Sequence, residues 1–166
     1  DFFSVSAHKI HGPAGTGALL LRRELIKKRY LLPVIIGGGQ EGGLRSGTEN
    51  VPAVAAFGEA IRCAMADLRQ RYTYVNELRN YLIEKIENDT ELSEISITKP
   101  NRHAPQILNI TLPGIRSETM LHFLSSYGIY VSSGSACSSN SAHISSALIS
   151  YGRSAEEADS SVRISL

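Results

Sequence analysis

Cys137 sits in the run Val131-Ser-Ser-Gly-Ser-Ala-Cys-Ser-Ser-Asn-Ser141, where serines and a glycine surround the thiol and Ala136 is its one apolar neighbour. Free cysteine otherwise ranks among the most buried residue types, so this setting predicts a thiol on a polar loop, available for chemistry. Cys63, in Ala60-Ile-Arg-Cys-Ala-Met65, follows a helical pattern and reads as packing. Lys9 ends the apolar segment Phe2-Phe-Ser-Val5 and faces the turn Gly12-Pro-Ala-Gly-Thr-Gly17. Partial desolvation there would lower the lysine pKa and free the amine to form an imine with a carbonyl group. A solvated lysine at a strand end is the plainer reading of the same residue. Ser6 and His8 add a hydroxyl and an imidazole around the turn, and its backbone amides are anion donors, so a phosphate could be held beside the amine.

Other chemistries fit less well. The glycine turn lacks both the Gly-x-Gly-x-x-Gly dinucleotide fingerprint and the Gly-Lys-Ser/Thr element of nucleotide phosphate loops. His8 and His11 are three apart, but no carboxylate or thiol stands near enough in sequence to complete a metal site.

The elements that must position these groups follow from the pattern. With 166 residues, 42% of them hydrophobic, and 17 basic against 16 acidic side chains, the chain is expected to bury a core, and its charge gives no footprint for nucleic acid or an anionic membrane. Its apolar runs, Ala18 to Leu21 and Leu31 to Ile36, are far short of the ~20 residues that span a bilayer. Two cysteines without a secretory pattern predict a reducing compartment, the cytoplasm. The chain opens on Asp1 without an initiator methionine and already reads as a strand, which leads to the expectation of a fragment or processed product.

Phe2 to Val5 and Ala18 to Arg22 are predicted strands. Gly37-Gly-Gly-Gln-Glu-Gly-Gly43 leads through Arg45-Ser-Gly-Thr48 into a helix capped by Asn50, with Pro52 in its first turn. From Glu59 to Lys99 there is no glycine or proline, and apolar residues recur from Val54 and Phe57 through Ile61, Met65 and Leu68 to Leu82 and Ile86. That spacing predicts one long helix or two in succession, with Asp67-Leu-Arg-Gln-Arg71 as the crossing between domains. Strands are predicted at Ile95 to Ile97, Ile107 to Leu112, Ile129 to Val131 and Val162 to Leu166. Helices are predicted at Ser117 to Ser126, capped by Ser117, and over 144–150 and 154–161.

Taken together, Ser6-Ala-His-Lys-Ile-His-Gly-Pro13, Gly37-Gly-Gly-Gln-Glu-Gly-Gly-Leu-Arg45, Arg45-Ser-Gly-Thr48, Pro105-Gln-Ile-Leu-Asn109, Ser132-Ser-Gly-Ser-Ala-Cys137 and Ser160-Ser-Val-Arg-Ile-Ser165 resemble the class I cysteine desulfurases. These are pyridoxal-phosphate enzymes of the class V aminotransferase family, and the resemblance spans the chain. It implies an α/β fold, the C-terminal part of a fold type I transferase: the end of the large-domain sheet over 1–66, a long connecting helix, and a small α/β domain over 67–166, truncated at its end. It implies pyridoxal 5'-phosphate as cofactor, Lys9 as the lysine bonded to it, Ser6 and His8 on its phosphate, and Thr48 on the phosphate of the neighbouring subunit in a homodimer. Cys137 would accept sulfur from L-cysteine as a persulfide, releasing L-alanine, and Arg163 would hold the substrate carboxylate. The partner then expected is a sulfur acceptor such as an iron-sulfur scaffold protein.

Within the resemblance, Asn109 matches a position near the site without an assigned contact, Arg45 reads as structural, and His143 as a polar loop residue. The family draws its ring-stacking aromatic residue and its pyridine-nitrogen carboxylate from a region before Lys9, so the chain alone is expected to be inactive. After the cysteine the chain has Asn140-Ser-Ala-His-Ile-Ser145 in place of acidic and proline residues, which bears on partner choice. The competing readings are another class V aminotransferase, a selenocysteine lyase, or a non-catalytic interaction domain built on the long helix and the serine-rich loop.

Overall fold

Two short, largely apolar segments joined by a glycine-rich turn make β1 (Phe2–Ser6) and β2 (Gly17–Leu21) an antiparallel pair, in register from Phe2 opposite Leu21 to Ser6 opposite Gly17. They belong to a computed structural model that describes residues 2–28, 30–133 and 144–166. The chain divides into two units, Asp1–Leu68 and Arg69–Leu166, and is mixed α/β as predicted.

In the first unit a 3-10 turn (Ala7–Ile10) leaves β1, and His11 follows in the left-handed region at φ 65°. The turn is closed on both sides, by the Ala7 N–H donating to Thr16 O (2.9 Å) and the Gly12 N–H donating to Ala7 O (2.9 Å). Gly12 is required there, because a Cβ would lie 3.0 Å from Ala7 and 3.3 Å from Ala60. After a short helix, α1 (Arg23–Lys27), the glycine-rich loop leads into α2 (Val51–Ala66). Asn50 caps α2 as predicted, its side chain accepting from the Ala53 N–H at 3.2 Å, with Pro52 in the first turn.

The predicted long helix is two. Asp67, at φ −132°, is non-helical between α2 and α3 (Leu68–Asn88). Phe57 of α2 is buried as expected, but the rest of the inward stripe is one position off. Ala53, Phe57, Ala60 and Ala64 face inward at helical spacing, while Val54, Ile61 and Met65 are exposed. Cys63 lies off that stripe, so it is a surface thiol and not a packing residue.

In the second unit β3 (Ser96–Thr98), β4 (Ile107–Thr111) and β5 (Ser161–Ser165) form an antiparallel sheet in the order β3-β4-β5. Strand alternation gives it two unlike faces. One carries Leu108 and Val162, each 1% exposed, with Ile110, Ile97 and Ile164, and packs with Ile83 and Ile86 of α3 into the core. The buried stripe of α3 also includes Arg79, 5% exposed. The other face is polar.

The described residues of this unit also form α4 (Ser117–Ser126), α5 (Ser146–Ser150) and α6 (Ala155–Asp159). The cap of α4 is Arg116, without a side-chain bond; Ser117 is buried inside the first turn and does not cap it. Ser154 caps α6 in a reciprocal box with Glu157, a Ser-x-x-Glu signal readable in the sequence. Residues 129–131 form no strand. The pairing falls one residue later, where Ser132 bridges to Arg163. No described helix is long and apolar enough to cross a membrane.

Candidate active site

Two groups of residues with chemical potential emerge, one in each unit. In the first, β1 delivers Ser6 and the closed 3-10 turn presents His8 and Lys9, all three exposed. Lys9 is therefore not desolvated within this chain. Of the turn, Ala7 alone is fully buried, at 0% exposure. A hydroxyl, an imidazole and an ammonium on one rigid turn are a donor set suited to a phosphorylated carbonyl compound, because each donates to an anion or adds to a carbonyl. They fit pyridoxal phosphate in kind.

Thr48 belongs to another loop. Gln40 organises it, its Oε1 accepting from the Gly47 N–H at 3.1 Å while its amide occupies the space a Cβ on Gly38 would need. Gly47, at φ 119°, takes a conformation that other residues rarely adopt. Ser46 is buried and bonds Ile35 O at 3.1 Å, and Arg45 Nη1 donates to Ser46 O at 3.0 Å, tying the arginine to its own loop. Thr48 is thereby set, exposed, just before α2. The Lys9 turn meets the middle of α2 through Gly12 and Ala60, and from Asn50 to Ala60 is about 15 Å of helix at ~1.5 Å per residue.

In the second unit the polar face of the sheet carries an aligned row. Thr98 lies opposite Asn109, Asn109 opposite Arg163, and Arg163 opposite Ser132. Directly opposed residues share a face, so these four side chains form one line across the strands. Thr98 Oγ1 donates to Asn109 Oδ1 (2.9 Å), Asn109 Nδ2 to Val162 O (3.2 Å), and Arg163 Nη2 to Ser132 Oγ (3.4 Å). The half-buried Asn109 amide thus has both ends engaged. Beside the row, Arg153 donates from Nη2 to Ser96 Oγ (2.9 Å) and Thr98 Oγ1 (3.4 Å), and from Nη1 to Glu157 Oε1 (2.9 Å). The Ser154 N–H and the Arg153 guanidinium hold the Glu157 carboxyl below the usual carboxylate range. Arg153 has a structural anchor role that its sequence context did not reveal.

Arg163 is half-buried, and its Nε is a buried donor without a partner among the described residues, as are the Nε atoms of Arg79 and Arg153. Cys137 and His143 lie outside the described residues. On α2, the exposed Cys63 Sγ donates to Glu59 Oε1 at 3.5 Å, and Arg62 with Cys63 draws the Glu59 carboxyl down to about 2. Among the described residues, no three His, Cys, Asp or Glu side chains cluster to hold a metal ion.

Comparison with known proteins agrees across the chain. Residues 1–166 match the family model for aminotransferase class V. The chain is 39% identical over 174 residues to a protein of Lactobacillus delbrueckii subsp. bulgaricus described as a NifS/IcsS protein homolog, covering 99% of this chain and 42% of the relative. It is 36% identical over 167 residues to the cysteine desulfurase IscS of Dictyoglomus turgidum, covering 100% of this chain and 41% of the relative. Among solved structures, a NifS-like protein superposes with TM-score 0.78 at 35% identity, covering 100% of this chain and 40% of that one. The NifS-like protein from Rickettsia africae gives 0.77 at 34%, covering 100% and 42%. The chain spans about two fifths of the length of these relatives. With the whole chain matched by one family model and the same fold in both NifS-like structures, the chain belongs to the aminotransferase class V family.

Proposed function

We propose that the complete enzyme is a cysteine desulfurase that uses pyridoxal 5'-phosphate to convert L-cysteine to L-alanine and leaves the sulfur as a persulfide on Cys137. The observation that carries this reading is the coexistence, in one family member, of the Ser6–His8–Lys9 turn, Arg163 on a polar sheet face, and a thiol in a serine-rich segment. The cofactor, when bound, supplies an electron sink that loosens the bonds at the substrate's alpha carbon. Lys9 Nζ carries protons to and from that carbon. Ser6 and His8 hold the phosphate from the same turn, so the amine and the anion site are fixed relative to each other.

Arg163 orients the substrate by its carboxylate. The Cys137 thiolate attacks the substrate sulfur, forming a sulfur-sulfur bond as the carbon-sulfur bond breaks; the carbon takes up the protons and leaves as alanine. Atoms balance as L-cysteine plus thiol giving L-alanine plus persulfide. Thr48 serves the phosphate of a second subunit, a role supported by the helix length separating it from the turn that meets Ala60. A homodimer and a protein acceptor for the persulfide follow from this scheme, as does a reducing compartment such as the cytoplasm, which keeps the thiol free.

Mass spectrometry of the complete enzyme after incubation with L-cysteine tests the reading. Cys137 is expected to gain one sulfur atom. Cys137→Ser should abolish sulfide release, whereas Cys63→Ser on the surface of α2 should leave it unchanged. Visible cofactor absorbance should disappear in Lys9→Ala. Sulfide release that persists in Cys137→Ser would overturn the proposal.

A further inference from the structure

We propose that Ser132 is a positioning residue for Arg163, setting both its backbone and its guanidinium so that the arginine meets a carboxylate in one orientation; this rests on the reading of Arg163 given above. Arg163 lies on β5, whose outer edge is bridged at this residue by Ser132. The two residues exchange both backbone bonds, Ser132 N–H to Arg163 O at 3.0 Å and Arg163 N–H to Ser132 O at 2.7 Å. A residue's N–H and C=O point to the same side of its strand, so the pair with Asn109 on the other side is the narrow, non-bonded kind, in which opposed side chains approach closely.

Arg163 is therefore clasped between Asn109 and Ser132, and each neighbour is immobilised differently. Thr98 and Val162 O hold the Asn109 amide, leaving it no donor or acceptor end free to swing. Ser132 presents its hydroxyl to Arg163 Nη2 at 3.4 Å. One donor of the fork is thus engaged by protein, and the buried Nε is without a partner among the described residues. Ser132 holds the fork by its Nη2 corner, which directs Nη1 to the ligand.

The test uses the complete enzyme with two unreactive probes that differ only in a carboxylate, S-methyl-L-cysteine and S-methylcysteamine, with dissociation constants measured by calorimetry. Ser132→Ala keeps the backbone bridge and loses the hydroxyl. It should weaken S-methyl-L-cysteine about three- to tenfold, less than a short bond from a charged donor because this one is 3.4 Å long, and leave S-methylcysteamine unaffected. It should also raise KM for L-cysteine more than it lowers kcat. Ser132→Thr, which restores the hydroxyl, should return the parent values. Equal weakening of both probes would mean that Ser132 only supports the fold, and the proposal fails. If Ser132→Ala changes neither probe while Arg163→Lys weakens S-methyl-L-cysteine, the proposal fails and the role of Arg163 stands. If Arg163→Lys changes neither, both fall.

Discussion

Replacing Arg153 with alanine should loosen the sheet that carries Arg163. The Arg153 side chain is 17% exposed, and its fork reaches across to the strand that starts the polar row, touching Ser96 at 2.9 Å and Thr98 at 3.4 Å. A bond from a charged donor contributes about 1.5–3 kcal/mol when its surroundings exclude water, and the longer Thr98 contact contributes less. Water can replace the arginine at two half-buried hydroxyls, which returns part of that sum, so the net loss should be about 2 kcal/mol. Native-state hydrogen exchange of peptides covering β3 to β5 would then accelerate about thirtyfold. Glu157 holds the other corner of the fork, but its side chain is 42% exposed, and the ion pair should carry the smaller share. Glu157→Gln should accordingly reproduce only a fraction of the effect, and 1 M salt, which screens beyond about 3 Å, should not remove the rest. The reasoning is refuted if Glu157→Gln accelerates exchange as much as Arg153→Ala and salt abolishes the difference, because the arginine would then be a surface ion pair and not an anchor of the sheet.

Other perturbations test other levels. Gly17→Ala would place a Cβ 2.6 Å from the Val5 carbonyl oxygen, a backbone atom that cannot rotate away. It should cost about 1–3 kcal/mol in thermal unfolding, and because Gly17 is paired with Ser6 it should also speed loss of the cofactor on dialysis of the complete enzyme. Gly58→Ala, in a helix with open space at that position, should instead stabilise by roughly 0.5–1 kcal/mol. The depressed Glu157 carboxyl stabilises the folded state above its ordinary value of 4.5 and ceases to do so as pH falls below that and through the lower folded value. Exchange protection at the start of α6 should therefore be complete at neutral pH and decline in acid, and Glu157→Gln should flatten the decline.

Turn chemistry and strand alternation made much of this chain legible from its residues. Asn50 with Pro52 located the start of α2, and the glycine-punctuated runs located β1, β2, β4 and β5 to within a residue or so. What escaped was phase. The apolar residues of α2 form two stripes, and nothing local distinguishes Val54, Ile61 and Met65, which are exposed, from Ala53, Phe57, Ala60 and Ala64, which face inward. Cys63 lies on neither stripe, and only the usual burial of free cysteine favours packing for it. Serine is a good cap by type, which points to Ser117, whereas the chain turns one residue earlier, at Arg116.

The candidate site was legible by type and not by arrangement. Ser6, His8 and Lys9 share a turn, as their spacing implied, but their exposure could not be read from neighbours in sequence. The polar row was harder still. Thr98, Asn109, Ser132 and Arg163 are drawn from four separate segments, and only strand register brings them into line. Arg153 had no signal, because its partners on β3 lie more than fifty positions away.

The β1–β2 ribbon has a practical consequence. Phe2, Phe3, Leu19 and Leu20 are each more than half exposed, and among the described residues the strands have no third neighbour in their sheet. Two strands with greasy sides and unsaturated rims are marginal in water and apt to recruit other chains. Produced by itself, this polypeptide should be prone to aggregation and chaperone capture, and a charged substitution at Phe3 or Leu20 is the first solubility remedy to try.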